Sequence, residues 1–249
     1  MGDDYSRVAA FIAQQPTTPD QPAGVVGMLQ RLCGAAVHAL SASGVGLSVM
    51  AANGIRGITA ASDPVSERIE ELQFLLGEGP CIDAFATRRP VLVPDLADGA
   101  MNRWPVYAPA VHADGVRAVF AFPLQVGAAL LGVLDVFRAR PGSLTGEELR
   151  QALTFADVAV TTLLDGQQSA QAGASADGVD EAILSKAEVY QAQGMVMVQL
   201  GVTLGEALAR MRAHAFAHNR RLDQVARDVL ARRLRFDQDN DGEMGGRRS

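Results

Sequence analysis

VRAVFAFPLQV (116–126) and ALLGVLDVFRA (129–139) flank Gly127 with almost nothing between them. Both runs are rich in β-branched and aromatic residues, so they read as two strands joined by a tight glycine turn. Upstream, GVGLSVMAA (44–52) and ITAAS (58–62) enclose NGIRG. Asn-Gly between apolar runs is the strongest short hairpin signal. VLVPDL (91–96) adds one short strand. The segments between have helical spacing. Residues 24–42 set Val26, Leu29, Leu32, Cys33, Ala36, Val37 and Leu40 on one face. Residues 63–76 open with Asp63-Pro64, a cap followed by proline at the first helical position. LGEGPCIDAF leads into another helical turn, 104–114 reads as helix, and 144–166 opens with the capping box Thr145-x-x-Glu148. Helices placed around two hairpins and a lone strand predict an α+β domain over 24–166, an antiparallel sheet flanked by helices. Residues 1–23 precede it as a helical extension, with Val8, Phe11 and Ile12 on one face and PTTPDQP as its end.

The stretch GQQSAQAGASADGVD (166–180) is rich in Gly, Ser, Ala and Gln, and 167–180 reads as a linker. Three short amphipathic helices follow over 181–236, a small all-α bundle, and 237–249 is a polar tail expected to be disordered. In the first helix the spacing Ile183, Ala187, Tyr190, Gly194, Met197 puts Gly194 on the packing stripe. There it would let another helix backbone come close, offsetting a propensity cost of about 1 kcal/mol. Gly201 is placed to end that helix in a left-handed conformation. The capping box Thr203-x-x-Glu206 opens the second helix, with Leu204, Ala207, Leu208, Met211 and Ala215 on one face. The third carries Leu222, Val225, Ala226, Val229, Leu230 and Leu234.

At 249 residues and 48% hydrophobic content the chain can bury a sizeable core. No apolar run reaches the roughly 20 residues of a spanning helix, the N-terminus lacks the layout of a secretion signal, and Cys33 and Cys81 are the only cysteines. These features point to a cytoplasmic protein without a membrane partner. The net charge of −6 is unevenly spread: −7 over 1–179, +3 over 180–236 and −2 over 237–249. A basic unit on an acidic body is the asymmetry expected of a nucleic-acid contact, although arginines on solvated helix faces would look the same.

Gln191-Ala192-Gln193-Gly194-Met195, Leu204-Gly205-Glu206-Ala207, Asn219-Arg220-Arg221-Leu222 and Val225-Ala226 fall in the order seen in ANTAR domains, and 181–236 resembles that family. The resemblance implies a three-helix RNA-binding module of transcription antitermination regulators. The family commonly has Lys where Gln193 stands; a charged phosphate contact is lost there and a hydrogen-bond donor kept. LGEGPCIDAF and VRAVFAFPL…LLGVLDVF make 24–166 resemble a GAF domain, a sensor module often placed ahead of signalling outputs. That likeness implies a small-molecule ligand, whose identity, haem and cyclic nucleotide included, nothing in 24–166 fixes. It also implies pairing through the end helices 24–42 and 144–166, which makes the chain a candidate homodimer.

The RNA-contact set implied by the resemblance is Gln191, Ala192, Gln193, Gly194, Asn219, Arg220 and Arg221. Arg220 and Arg221 precede the third helix, whose N-terminal partial charge disfavours them until an anion arrives. Arg227, Arg232, Arg233 and Arg235 either extend this patch or serve the helix dipole. Tyr190 could stack on a base, but its stripe favours the core. His214 and His218 are four apart without an acidic or cysteine partner, so no metal site is read there. Cys81 follows a Gly-Pro turn near a helix start, where a thiol pKa falls; redox sensing is one reading and a buried structural thiol the favoured one. No Walker loop, metal motif or nucleophile–base pair is evident, so no enzyme is expected. Two functions stand: an RNA-binding antitermination regulator acting on tandem stem-loops through a dimer's two modules, or a ligand- or redox-sensing protein whose C-terminal helices form a protein-interaction or dimerisation module.

Overall fold

The computed structural model describes residues 2–16, 22–50, 56–171, 179–218 and 220–237. The chain divides into two compact units, residues 1–182 and 183–249. The first contains α1 (Gly2–Ala13), α2 (Gly24–Ala39), β1 (Gly44–Met50), β2 (Arg56–Ala61), α3 (Pro64–Leu76), α4 (Pro80–Thr87), β3 (Val91–Val93), α5 (Ala100–Arg103), α6 (Tyr107–Ala113), β4 (Ala118–Val126), β5 (Ala129–Arg138) and α7 (Gly146–Gln171). The strands form one antiparallel sheet in the order β2-β1-β5-β4-β3. The second hairpin turns at Gly127, at φ 55°. The Asn-Gly turn read between β1 and β2 falls on residues outside those described.

Helices cover both faces of this sheet. That is why β4 and β5 are apolar almost continuously and do not alternate with polar residues. One core cluster joins Val45, Leu47, Phe120, Phe122, Leu134 and Val136 to α2 and α7, with Val8 of α1 among them. The other joins Val119, Ala121, Val133 and Phe137 to Ile69, Ala84, Ala100, Tyr107 and Val111 from α3, α4, α5 and α6, and to Trp104 between the last two helices. Burial of each such phenylalanine stabilises the fold by about 1.5–3 kcal/mol. The apolar faces of α2 and α7 are therefore used inside the unit. Met28 and Leu153 are the large apolar side chains these two helices still expose among the described residues, at 38% and 43%.

β1 has a division of labour along its length. Val45 and Leu47 enter the first cluster, while Gly44, Gly46 and Ser48 face α3. A Cβ on Gly44 would lie 2.0 Å from Ser66 Oγ, and one on Gly46 would lie 2.5 Å from Glu70 Cγ. The small face of the strand thus admits the polar face of α3, whose buried residues are Ser66, Ile69, Glu70 and Gln73.

α3 starts as its sequence dictates. Asp63 Oδ1 accepts from the backbone N–H groups of Val65 and Ser66 at 2.9 and 3.0 Å, Pro64 follows, and Gly77 ends the helix at φ 69°. Partial burial opposes the Asp63 charge, but the hydroxyls of Ser66 and Ser62 and the two backbone donors outweigh it and hold the carboxyl below its ordinary range. Asp63→Ala is expected to lower stability at neutral pH by about 1–2 kcal/mol. A depressed folded-state pKa gives stability that is present above the unfolded value and lost as pH falls through the folded one. The deficit should therefore shrink on acidification, as read by urea unfolding of both chains across the carboxylate range.

The second unit is formed by α8 (Val179–Leu200) from Ile183 onward, α9 (Leu204–Ala217) and α10 (Leu222–Leu230). α7 runs on to Gln171 and α8 begins at Val179, so both helices extend into the segment read as a linker; 172–178 and most of the tail lie outside the described residues. Gly201, at φ 65°, follows α8, and Thr203 with Glu206 makes the expected capping box on α9. The buried side is Val189, Ala192, Val196 and Leu200 of α8, Ala207, Leu208, Met211 and Ala215 of α9, and Leu222, Val225, Ala226 and Val229 of α10.

This corrects the expected phase of α8. Tyr190 is 37% exposed, and a Cβ on Gly194 would meet nothing within 4 Å. Gly194 is not a close-approach position. Leu204 likewise leaves its expected face and is 51% exposed. The cause is that α8 is apolar nearly all round (Val189-Tyr190, then Met195 to Val198), so spacing alone admits two adjacent stripes. Ile183 and Ala187 of the expected stripe have side chains outside the described set.

Candidate functional site

In the helical unit, the loop before α10 folds back on α9 through Arg220 N–H donating to Ala215 O at 2.8 Å. Arg221 leads into α10 with no side-chain cap. Each arginine of the pair already has a carboxylate. Arg220 Nη2 stands 2.5 Å from Asp228 Oδ2, and Arg233 Nε takes Asp228 Oδ1 at 2.7 Å. Hydrogen bonds from Arg220 and Arg233 hold the Asp228 carboxyl below its ordinary range. Arg221 Nε lies 3.2 Å from Asp223 Oδ1, Arg227 also bonds Asp223, and Arg227 Nε reaches Glu188 of α8 at 3.5 Å. Such surface pairs contribute about 0–1 kcal/mol each. A phosphate oxygen, which accepts the same guanidinium fork, can therefore replace the carboxylate at little cost.

Beside Arg220 the rings of His214 and His218 stack at 4.0 Å, with Phe236 edge-on to His214 at 5.4 Å. Burial first, then the charges of His218 and Arg220, push the His214 pKa down. His218 Nδ1 is bonded to His214 O at 2.8 Å, so this pair is a helix-end stack.

The expected contact set separates into two groups. Gln191 is exposed, Gly194 faces open space, Arg220 is half-buried and Arg221 exposed. Ala192 and Gln193 are buried, at 0% and 6% exposure, and Gln193 Nε2 donates to Leu204 O at 2.7 Å. Gln193 thus ties α8 to the first turn of α9, and neither side chain reaches the surface. Asn219 lies outside the described residues. Sequence reasoning missed the carboxylates that align the arginines; the Asp223/Arg227 i,i+4 spacing was the available signal.

The sheet unit holds a second constellation, which sequence reasoning also missed apart from Cys81. Asp135 projects from β5 into the α3/α4 side of the sheet, where Gln73 Nε2 donates to its Oδ2 at 2.8 Å. Gln73 Oε1 accepts the Cys81 backbone N–H at 2.8 Å, so one amide joins β5 to the start of α4. Ser48 Oγ donates to Glu70 Oε2. Tyr107 is fixed by its backbone, because Glu78 Oε1 accepts the N–H groups of Val106 and Tyr107 at 2.8 and 2.7 Å. Ser48, Glu70, Gln73, Cys81, Tyr107 and Asp135 are all buried. At 3% exposure Cys81 is enclosed, unlike the accessible thiols that sense oxidants. Burial, then the Glu70 charge, raises the thiol pKa of Cys33. The readable signal was Asp135 itself, a single acid inside the apolar run ALLGVLDVF.

Burial, then the Glu70 charge and its hydrogen bond, push the Asp135 carboxyl well above its ordinary range against the opposing bonds from Gln73 and Cys81. A raised folded-state pKa gives stability that is complete below the unfolded value and lost as pH rises through the folded one. Asp135→Asn keeps the shape and removes that titration. The melting temperature of the variant is expected to gain on the parent as pH rises from the carboxylate range upward, measured in chelator-treated protein; a constant difference would refute this.

Residues 23–164 match the family model of the GAF domain, and residues 177–230 match that of the ANTAR domain. None of the curated proteins compared matches the chain. The GAF domain from a phosphoenolpyruvate-protein phosphotransferase of Coxiella burnetii is similar at TM-score 0.52 and 15% identity, over 68% of this chain and 95% of that one. The GAF domain from an Acinetobacter phosphoenolpyruvate-protein phosphotransferase gives 0.48 and 11%, over 68% and 96%. Free methionine-R-sulfoxide reductase from Neisseria meningitidis gives 0.47 and 14%, over 68% and 90%.

Proposed function

The chain belongs to the GAF domain family and carries an ANTAR domain behind it, and from that premise we propose that it is a signal-responsive transcription antitermination regulator that binds stem-loops in nascent RNA. The observation that carries this reading is the ANTAR match over 177–230, which overlaps the 180–236 stretch that bears a net charge of +3 in an otherwise acidic chain. In this reading Arg220 and Arg221 release Asp228 and Asp223 and take up phosphates, while Gln191 and Tyr190 offer a hydrogen-bonding amide and an aromatic ring to unstacked loop bases. Ala192 and Gln193 maintain the helix arrangement without touching RNA. The protein is a regulator and not an enzyme. It acts in the cytoplasm as a homodimer that presents two modules to paired stem-loops, which raises the effective concentration for the second contact.

The test is binding of the full chain to tandem and single stem-loop RNAs over a salt series. A specific complex is expected, weakening linearly in log–log form as salt rises and favouring the tandem RNA. Val198, Leu204 and Phe216 are 75%, 51% and 52% exposed, which favours a protein-interaction module if no stem-loop RNA binds.

A further inference from the structure

We propose that Glu70, Cys81 and Asp135 form a binding site for a borderline divalent transition-metal ion of the Zn²⁺ class inside the sheet unit. One carboxylate oxygen from each acid and the Cys81 Sγ lie within 4.8 Å of one another, and all three residues are buried. Zinc-type sites have metal–sulfur distances of about 2.3 Å and metal–oxygen distances of about 2.0–2.2 Å, so small side-chain shifts would bring these donors onto one ion.

The surroundings orient the donors outward-in. Gln73 and Ser48 each hold an outer carboxylate oxygen, of Asp135 and Glu70 respectively, and Gln73 also fixes the Cys81 backbone. Second-shell bonds of this kind set the direction of metal ligands. Gly46 is the register partner of Asp135, and its missing side chain provides the space that Glu70 occupies.

A second observation points to a ligand. The Tyr107 hydroxyl is buried and has no hydrogen-bond partner among the described residues. Tyr107 is fully enclosed, in the same core cluster as Cys81. With an ion held by the two carboxylates and the thiolate, the Tyr107 O–H could donate to the group filling the fourth position. Buried polar atoms in native folds are rarely left without such a use.

The donor set selects the class. Calcium and magnesium require six or more oxygens, and an all-soft set would be needed for Cu⁺; two carboxylates with one thiolate suit Zn²⁺, Co²⁺ or Fe²⁺. Binding involves no electron transfer. The ion displaces the Cys81 thiol proton and the carboxyl proton of Asp135, and both protons pass to solvent. Three ligand charges against two on the ion leave one negative charge, met by the tyrosine donor. Bound there, the ion would tie α3 and α4 to β5, an input to a sensor domain whatever its output module binds.

The full chain, reduced and refolded from urea with one equivalent of Co²⁺, reports the site by its absorption. Expected are tetrahedral-type visible bands and a near-ultraviolet thiolate-to-metal band, both abolished by excess Zn²⁺. Cys81→Ser should lose the near-ultraviolet band, and Asp135→Asn, which is nearly isosteric, should weaken binding at least tenfold. Cys33→Ser and the double variant His214→Ala/His218→Ala should bind as the parent does. Absence of stoichiometric binding, a thiolate band that survives Cys81→Ser, or binding that follows the histidine pair would each overturn the proposal. If Cys81→Ser does not refold by circular dichroism, Asp135→Asn and Cys33→Ser decide: unchanged affinity in the first, or loss of the thiolate band in the second, overturns it.

Discussion

Gly132→Ala is expected to cost the sheet unit more than about 3 kcal/mol, at or beyond the upper end of ordinary overpacking. Gly132 pairs with Val49 of β1 on one side and with Leu124 of β4 on the other, so it lies in the central strand. A Cβ there would stand 2.0 Å from Ser48 O and 2.9 Å from both Ser48 C and Val49 Cα. Those are backbone atoms of a hydrogen-bonded strand, and no rotamer change can move them aside. Relief requires β1 to part from β5, which opens both core clusters. Gly194→Ala supplies the contrast. Its Cβ would enter open space within a helix, so it is expected to stabilise the helical unit by about 0.5–1 kcal/mol. Urea unfolding followed by circular dichroism separates the two outcomes; a Gly132→Ala chain as stable as the parent would contradict the described pairing.

Arg220→Ala combined with Arg221→Ala is expected to weaken stem-loop binding about 30-fold. A charge-assisted hydrogen bond contributes about 1.5–3 kcal/mol, from which the ion pair it replaces, worth up to about 1 kcal/mol, must be subtracted. A net of about 1 kcal/mol per arginine gives the stated factor. Loss of two phosphate contacts should also make the log–log salt slope shallower by roughly 1.4–1.8. The reciprocal variants test the mechanism more sharply. Asp223→Asn and Asp228→Asn release the carboxylate hold on Arg221 and Arg220 and should raise affinity severalfold. Helical content should be unchanged throughout. Equal affinity in the double arginine variant and the parent would remove these residues from any RNA contact.

How far the sequence carried these conclusions depended on what each signal measures. The sheet and its hairpin partners were legible because β4 and β5 are long, β-branched and punctuated by Gly127. The helix starts at Asp63, Thr145 and Thr203 were legible because caps are local chemistry. The phase of α8 was not, since a helix with apolar residues on most sides gives periodicity nothing to select. Gln193 shows the same limit from the other side. A polar residue in a family motif reads as a contact, whereas here its amide is buried and bonded to the next helix. The Glu70–Cys81–Asp135 constellation assembles residues from α3, α4 and β5, and only the folded chain brings them within reach.

The strand order has a consequence for how the protein is made. β5 is the middle strand of the sheet yet the last to be synthesised, and Val45 of β1 finds Val136 of β5 about 90 residues later. At roughly 5–20 residues per second, the inner edge of the β1–β2 hairpin waits about 5–20 s on the ribosome before its partner emerges. During that interval the hairpin exposes Val45 and Leu47 on a strand edge of the kind that recruits other chains. Folding of this unit is therefore set by long-range pairing and is slow relative to the helical unit, whose contacts are local. Nascent chains halted before residue 129 should be held by chaperones or aggregate, and chains released after β5 should become protease-resistant in one step.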